Sequence, residues 1–442
     1  MRAVLNKSAP ARPALAAHIG VAGLWSLAVG LVISGEYFGW SYGWAAAGTV
    51  GFLYTTLIVA VLYLAFIFSF TELTTAIPDA GGPFEYARRA FGPVGGLVAG
   101  YAALVEFALA PPAIAAALGG YIHFQFEHVP VVVVGIVAFV VFVWLNILGV
   151  KQAMRFELFV TILAVAELLV FMAVVAPGFR MDNFLANPMP SGFAGVLAAI
   201  PFAIWFFLAI EGVAMAAEEV KDPRITIPRG YISGILTLVV LAFGVMIFAG
   251  GAGDWSKLSG IDSPLPEAMG MVVGRQSGWL HMLVAVGLFG LLASFHGIIL
   301  SCSRQIFGLA RAGYLPPALA SVHGVRRTPH VALMATGAVG IIAVLSGRTS
   351  ELITLSALGA LSMYVCSMLA LFRLRRSHPD LERPFRAPFY PALPFIALAL
   401  SVLSLAVVVW FNPGITAIFV AGFALAMLHY AVTGARRAEA VR

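Results

Sequence analysis

The sequence predicts an all-α membrane protein of about twelve transmembrane helices, and three observations carry that expectation. The first is composition. Hydrophobic residues make up 61% of the chain and charged residues only 10%, with a mean hydropathy of +0.97. A soluble domain carries roughly 25% charged residues. The second is spacing: apolar runs are centred near residues 29, 59, 105, 140, 165, 205, 240, 290, 338, 361, 400 and 423. Each suits the roughly 20 residues that cross the hydrocarbon core, and little chain is left for an extramembrane domain. The third is charge placement. If the N-terminus is cytoplasmic, only Arg180, Lys257, Arg275 and Arg348 of the 26 basic residues fall in outward loops. That bias is the positive-inside pattern, and one missed helix would scramble it.

The elements follow in order. A tail of residues 1–17 precedes a first apolar run that begins near His18 and lacks a small-residue cleavage pattern behind it. It reads as a retained span, not a signal peptide. Five spans fill residues 18–176 and five more fill 194–373; two additional helices occupy 390–433, and a tail of 434–442 follows. Both termini are expected inside, in a cell (inner) membrane. The formal charge of +6 is thereby topological, and no nucleic-acid partner is expected. Cys302 and Cys366 both lie in apolar segments, which argues against a disulfide framework or a metal site. No cofactor is expected. The chain contains neither His-Glu-x-x-His nor a Gly-x-Ser-x-Gly elbow, so an enzyme is not the expected class.

The costly residues point to function. No Lys or Arg falls at mid-span, but Glu36, Glu106, Glu167 and Glu211 do, in the first, third, fifth and sixth spans. Each buried acid costs about 2.5–3.5 kcal/mol to insert. Four acids without an opposing base favour binding a cationic substrate, protons, or both. Two of them adjoin a glycine at mid-membrane, in Ser34-Gly35-Glu36-Tyr37-Phe38 and in Ile210-Glu211-Gly212. Five spans separate the two, which is the spacing of a five-plus-five inverted repeat whose first helices are broken around a midplane site. Paired packing glycines are the alternative reading. The loops Pro78-Asp79-Ala80-Gly81-Gly82-Pro83 and Glu218-Glu219-Val220-Lys221-Asp222-Pro223 are either solvated turns or braces for helix ends.

Those two loops, together with Ile227-Pro228-Arg229 and the Ser303-Arg304-Gln305-Ile306-Phe307-Gly308 segment, resemble the amino acid–polyamine–organocation permeases. The resemblance runs over nearly the whole chain and implies twelve helices, two of them additional to the repeats, and secondary active transport. Amino-acid permeases of that family usually carry Gly-Ser-Gly at the first break, where amides hold the substrate carboxylate. Here those places are Ser34, Gly35 and Glu36. A glutamate there repels a carboxylate and attracts an ammonium group. With Ala293-Ser294-Phe295-His296-Gly297, the string from 32 to 40 looks most like the ethanolamine permease subgroup. The resemblance also puts Glu167 where some proton-coupled members carry a lysine, so a proton is favoured over sodium as the coupling ion.

The expected site therefore holds an ammonium group near Glu36 and Glu211, with carbonyls around Ser34 and Ile210 as further acceptors and Gly35 and Gly212 at the breaks. Tyr37, Phe38, Trp205 and Phe206 are cation–π candidates. Ile210 stands where the family often has an aromatic gate. Glu106 either lines the site or serves a structural hydrogen bond. His296 either reaches the substrate hydroxyl or is an ordinary bundle histidine. A polyamine or amino-acid permease remains open at this point, as does a cation channel.

Overall fold

Residues 19–149 and 154–440 are described by a computed structural model; the expected N-terminal tail, His18 and Lys151 lie outside the described residues. Helices run through the described residues. α1 is Val21–Val32, and a short turn at Ser34–Tyr37 leads to α2, Trp40–Ala76. α3 is Pro83–Gln125, α4 Val131–Leu148, α5 Met154–Val175 and α6 Ile200–Glu219. Then come α7 Pro223–Gly251, α8 Gly278–Arg311, α9 His330–Leu345, α10 Thr349–Ser377, α11 Ala392–Phe411 and α12 Pro413–Ala440. Ten of the described helices are long and apolar enough to span a membrane, and Val21–Val32 and His330–Leu345 are shorter apolar ones. Every apolar run marked in the sequence has its helix, and the chain is an all-helical membrane protein.

Both expected breaks are present. α1 stops at Ile33, and after the Ser34–Tyr37 turn Phe38 is extended at φ −159°, ψ −177°. Within α2, Gly48 has φ +73°, a conformation that glycine adopts freely, and two helical stretches meet there at a kink. The Pro188 carbonyl accepts from the Val50 and Gly51 amides at 3.1 and 3.2 Å, which satisfies the new helix start. In α6, the α-helical turn Ile200–Trp205 gives way to 3₁₀ geometry over Ile210–Glu219, with Ala209 at φ +75° between them. A non-glycine residue in that region is strained and persists only where its surroundings hold it.

Packing places the two breaks at the centre. α1 lies against α5, α7 and α8, while α3 packs along α10 and α8. α12 is open along its apolar length, as a lipid-facing helix is, and α11 is half-open. At one end of the bundle, Ile19 pairs with Val220 as an isolated parallel bridge, Ile19 N donating to the Glu219 carbonyl at 3.0 Å. The two loops singled out in the sequence meet: the Ala80 amide donates to Glu218 Oε1 at 2.9 Å. Glu85 accepts from Arg88 at 2.7 Å and Arg89 at 2.8 Å, so this charge cluster braces helix ends. At the opposite side, Asp262 accepts from Tyr42 at 2.7 Å and Thr349 at 3.4 Å, and Ser41 donates to the Ile261 carbonyl at 2.7 Å.

Three further acids prove to be buried, Glu72, Glu85 and Glu157. The expectation of four overlooked them because they sit nearer helix ends. Glu72 is satisfied fully: Arg375 Nε donates at 2.7 Å and Nη2 at 2.5 Å, the Ala387 amide donates at 2.7 Å, and Arg383 Nε lies at 3.3 Å. This knot fastens α2 to α10 and to the segment leading to α11. Removing one partner of such a buried pair leaves the other charges uncompensated, at about 3–5 kcal/mol. Glu72→Ala is therefore expected to lower the thermal unfolding midpoint of the detergent-purified protein clearly, and an unchanged midpoint would contradict the role given to this knot.

Candidate functional site

The two breaks touch. A Cβ on Gly35 would collide with the Trp205 carbonyl oxygen and meet Phe206 Cα at 3.0 Å, so only glycine lets the backbones of α1 and α6 approach so closely. Phe38 packs edge-on against Trp205, ring centroids 5.4 Å apart. Ser34 Oγ pairs with Ser294 Oγ of α8 at 2.9 Å, and Ser294 Oγ also reaches the Leu31 carbonyl at 2.6 Å, one of the groups freed by the end of α1. Between the breaks lies a narrow gap lined by Leu31, Val32, Ser34, Ala110, Trp205, Leu208 and Ile298. Its walls are mostly apolar, with Ser34 as the polar side chain of the first break.

Glu36 projects from the same turn and is completely buried, and neither carboxylate oxygen has a hydrogen-bond partner among the described residues. Its carbonyl accepts from Trp40 Nε1 at 3.1 Å. The neighbouring Tyr37 points elsewhere: its hydroxyl donates to Glu167 of α5, and its carbonyl accepts from Tyr121 at 3.2 Å. The predicted coupling residue is thus wired directly to the first break. Gly287 and Gly290 of α8 leave the space that the Tyr37 ring fills.

Glu211 does not join Glu36. No hydrogen bond links the Glu36 carboxylate to Glu211 or to Glu106 among the described residues, and Glu106 Oε2 and Glu211 Oε1 likewise meet no donor there. Glu106 Oε1 accepts from the amide of strained Ala209 at 3.2 Å, which helps hold the α6 break. Glu211 Oε2 accepts from Tyr364 at 3.1 Å, and Tyr364 pairs with Tyr63 at 2.8 Å. Gly212 packs against Phe107 and Leu31. Ile210 is buried without a ring to close the site, while Phe206 faces Phe52 at 6.0 Å. The His296 ring lies 5.6 Å from that of Phe142 in α4, and its Nδ1 has no partner among the described residues.

The arrangement concentrates negative charge. Seven glutamates are buried among the described residues, and no lysine or arginine is. Glu72 and Glu85 meet arginines near helix ends; Glu36, Glu106, Glu157, Glu167 and Glu211 have no such partner among the described residues. No group of three or more metal-ligating side chains occurs among the described residues. Sequence reading missed Tyr63, Tyr121, Tyr364 and Ser294, since each meets its partner only across the bundle. A tyrosine in an apolar helix carries no local sign of which acid it will face.

The profile of the family described as amino acid permease matches residues 19–432. The chain is 29% identical over 404 residues to an uncharacterized transporter of Rhizobium meliloti, covering 88% of this chain and 86% of that one. It is 25% identical over 402 residues to the branched-chain amino acid permease BcaP of Bacillus subtilis, covering 86% of each. A methylthioribose transporter of Bacillus subtilis is 27% identical over 419 residues, covering 88% and 87%.

The contact between the breaks is the part of this geometry least tolerant of added atoms. Overpacking of that kind costs about 1–3 kcal/mol. Gly35→Ala is expected to slow uptake into proteoliposomes by roughly tenfold or more while the protein still inserts and purifies. Uptake at the unaltered rate would show that the backbones need not meet there.

Proposed function

The chain belongs to the amino acid permease family of the amino acid–polyamine–organocation superfamily, and from that premise we propose that it imports a small organic amine, best matched by ethanolamine. It is a multi-pass membrane permease for an amino acid or a related small solute, not an enzyme. The finer reading rests on one observation. Glu36 stands at the first break, fully buried, with both oxygens lacking a donor. A substrate ammonium about 4 Å from such a carboxylate gains about 4 kcal/mol at an effective dielectric near 20, and a substrate carboxylate loses a similar amount. The absence of a buried lysine or arginine among the described residues leaves that charge for a ligand to neutralise. A hydroxyl in place of the carboxylate suits Ser34 and Ser294, which are paired beside the gap.

In this reading the coupling ion is a proton, carried inward by symport on Glu167, which the Tyr37 hydroxyl connects to the substrate turn. Residues 18–176 and 194–373 act as the two repeats, 390–433 as the additional helices, and the tails 1–17 and 434–442 face the cytoplasm from the inner membrane.

A second reading has its own support. The mostly apolar gap suits the side chain of a neutral amino acid, and one relative is named a branched-chain amino acid permease. Uptake of labelled ethanolamine into proteoliposomes, under separately imposed proton and sodium gradients, separates the two. Saturable uptake driven by the proton gradient, and competed by ethanolamine but not by leucine or putrescine, is expected. Glu36→Gln should raise KM by roughly tenfold or more, the loss of one charged hydrogen bond. Saturable leucine uptake that ethanolamine leaves untouched would replace the first reading with the second.

A further inference from the structure

We propose that Glu157 is a second proton station on α5, which relays the proton of Glu167 to the cytoplasmic side. The inference deepens the proton-symport reading and rests on it.

Glu157 stands in the first turn of α5, yet it is only 8% exposed, and its carboxyl has no hydrogen bond or ion pair among the described residues. An acid held in a membrane at that cost marks a functional position by default. Its place is built by the neighbouring helix. A Cβ on Gly30 of α1 would lie 2.5 Å from Glu157 Oε1 and 2.9 Å from Thr161 Oγ1, so the room left by this glycine is the room the carboxyl takes. Gly30 is about one helical turn before Ser34, where the turn of the first break begins. The carboxyl thus lies against the helix whose end forms the substrate turn.

The same contact leads toward Glu167. Ten positions separate the two acids in the sequence, about 15 Å along a helix. Thr161 lies between them, its hydroxyl donating to the Ser26 carbonyl of α1 at 3.2 Å. Beyond it, the Tyr37 hydroxyl reaches the Ala164 carbonyl at 3.4 Å and donates to Glu167. All three contacts are made to α1 or its turn, so a parting of α1 from α5 uncovers them together. The other elements packed against α5 are α7, α8 and the short helix Pro264–Val273. α1 carries no titratable side chain. Arg224 of α7 pairs with Glu382, Arg304 of α8 lies 3.9 Å from Glu219, and Glu267 of the short helix binds Arg275. Arg229, His296 and Arg311 likewise make no bond to Glu157 among the described residues.

The transfer balances. With α1 packed against α5, Glu157 carries its proton and is neutral beside Gly30. When the helices part, its O–H bond breaks and the proton passes to cytoplasmic water. A proton from Glu167 then crosses by way of bridging water past Thr161, the O–H of Glu167 breaking as a new one forms on Glu157. The net change is one proton delivered inside and Glu167 left as a carboxylate. Glu157 is neutral again before α1 returns. The ammonium seat at Glu36 takes no part in these steps.

The test is proton entry during ethanolamine uptake into proteoliposomes, followed with a trapped pH-sensitive dye, beside exchange of labelled for unlabelled ethanolamine at equal pH. In Glu157→Gln, proton entry is expected to fall by roughly tenfold or more, as when a proton-transfer group is lost. Exchange should continue at the unaltered rate, because the proton need not leave Glu167 during it. Gly30→Ala, which displaces the carboxyl without removing it, is read in the same way should the first variant not fold. Wild-type proton entry in the variant, or an equal loss of exchange, overturns the station and leaves proton symport standing. Ethanolamine uptake by the unaltered protein without any proton entry overturns the symport reading, and the station with it.

Discussion

A carboxylate that water cannot reach must share a proton, pair with a base or hold a cation, and the interior of this protein is organised around acids that lack a base. Glu36, Glu106, Glu167 and Glu211 occupy three different arrangements in one bundle. Among the described residues Glu36 has no donor, Glu167 takes the Tyr37 hydroxyl, and Glu106 and Glu211 each take one donor, the Ala209 amide and the Tyr364 hydroxyl. Insertion of such groups is costly enough that they persist only where function or tight packing retains them. The helix breaks serve the same constraint, since irregular backbone inside a membrane is tolerated only where protein or a polar cavity satisfies its amides and carbonyls.

The ends of the bundle complement that centre. At one end the charges are paired: Glu72 binds Arg375 and Arg383, Glu85 binds Arg88 and Arg89, and Glu218 accepts from the Ala80 amide. On the other side Asp262 gathers Tyr42 and Thr349 from two different helices. Contacts of this kind are specific yet local, so they can close or open an end without disturbing the apolar packing between helices. The central acids, by contrast, lie where α1, α3, α5, α6 and α8 converge. A change of occupant there acts directly on the two segments whose helices are already interrupted.

Much of this was legible before any coordinates. Hydropathy placed all twelve helices, because an apolar run long enough to span a bilayer has few other fates. The Gly35-Glu36 and Glu211-Gly212 pairs marked both breaks, since a charged residue beside a glycine at mid-span is expensive unless the helix gives way there. Less was legible at the site. Glu36 and Glu211 both lie at breaks, but nothing in the sequence showed that Glu211 would take the Tyr364 hydroxyl from α10. Glu72 and Glu157 drew no notice in the sequence and are buried. His296 read as a possible ligand and packs against Phe142.

The residues themselves determined the class and the span count, because the cost of moving a side chain out of water belongs to that side chain wherever it sits. Family membership followed from patterns spread along the chain. Only the tertiary structure decided which acid faces which partner. Hydrogen bonds and shared protons depend on separations of about 3 Å, and those are set by how helices distant in sequence pack. Tyr37 finds Glu167, Tyr364 finds Glu211 and Gly35 meets Trp205 for that reason alone.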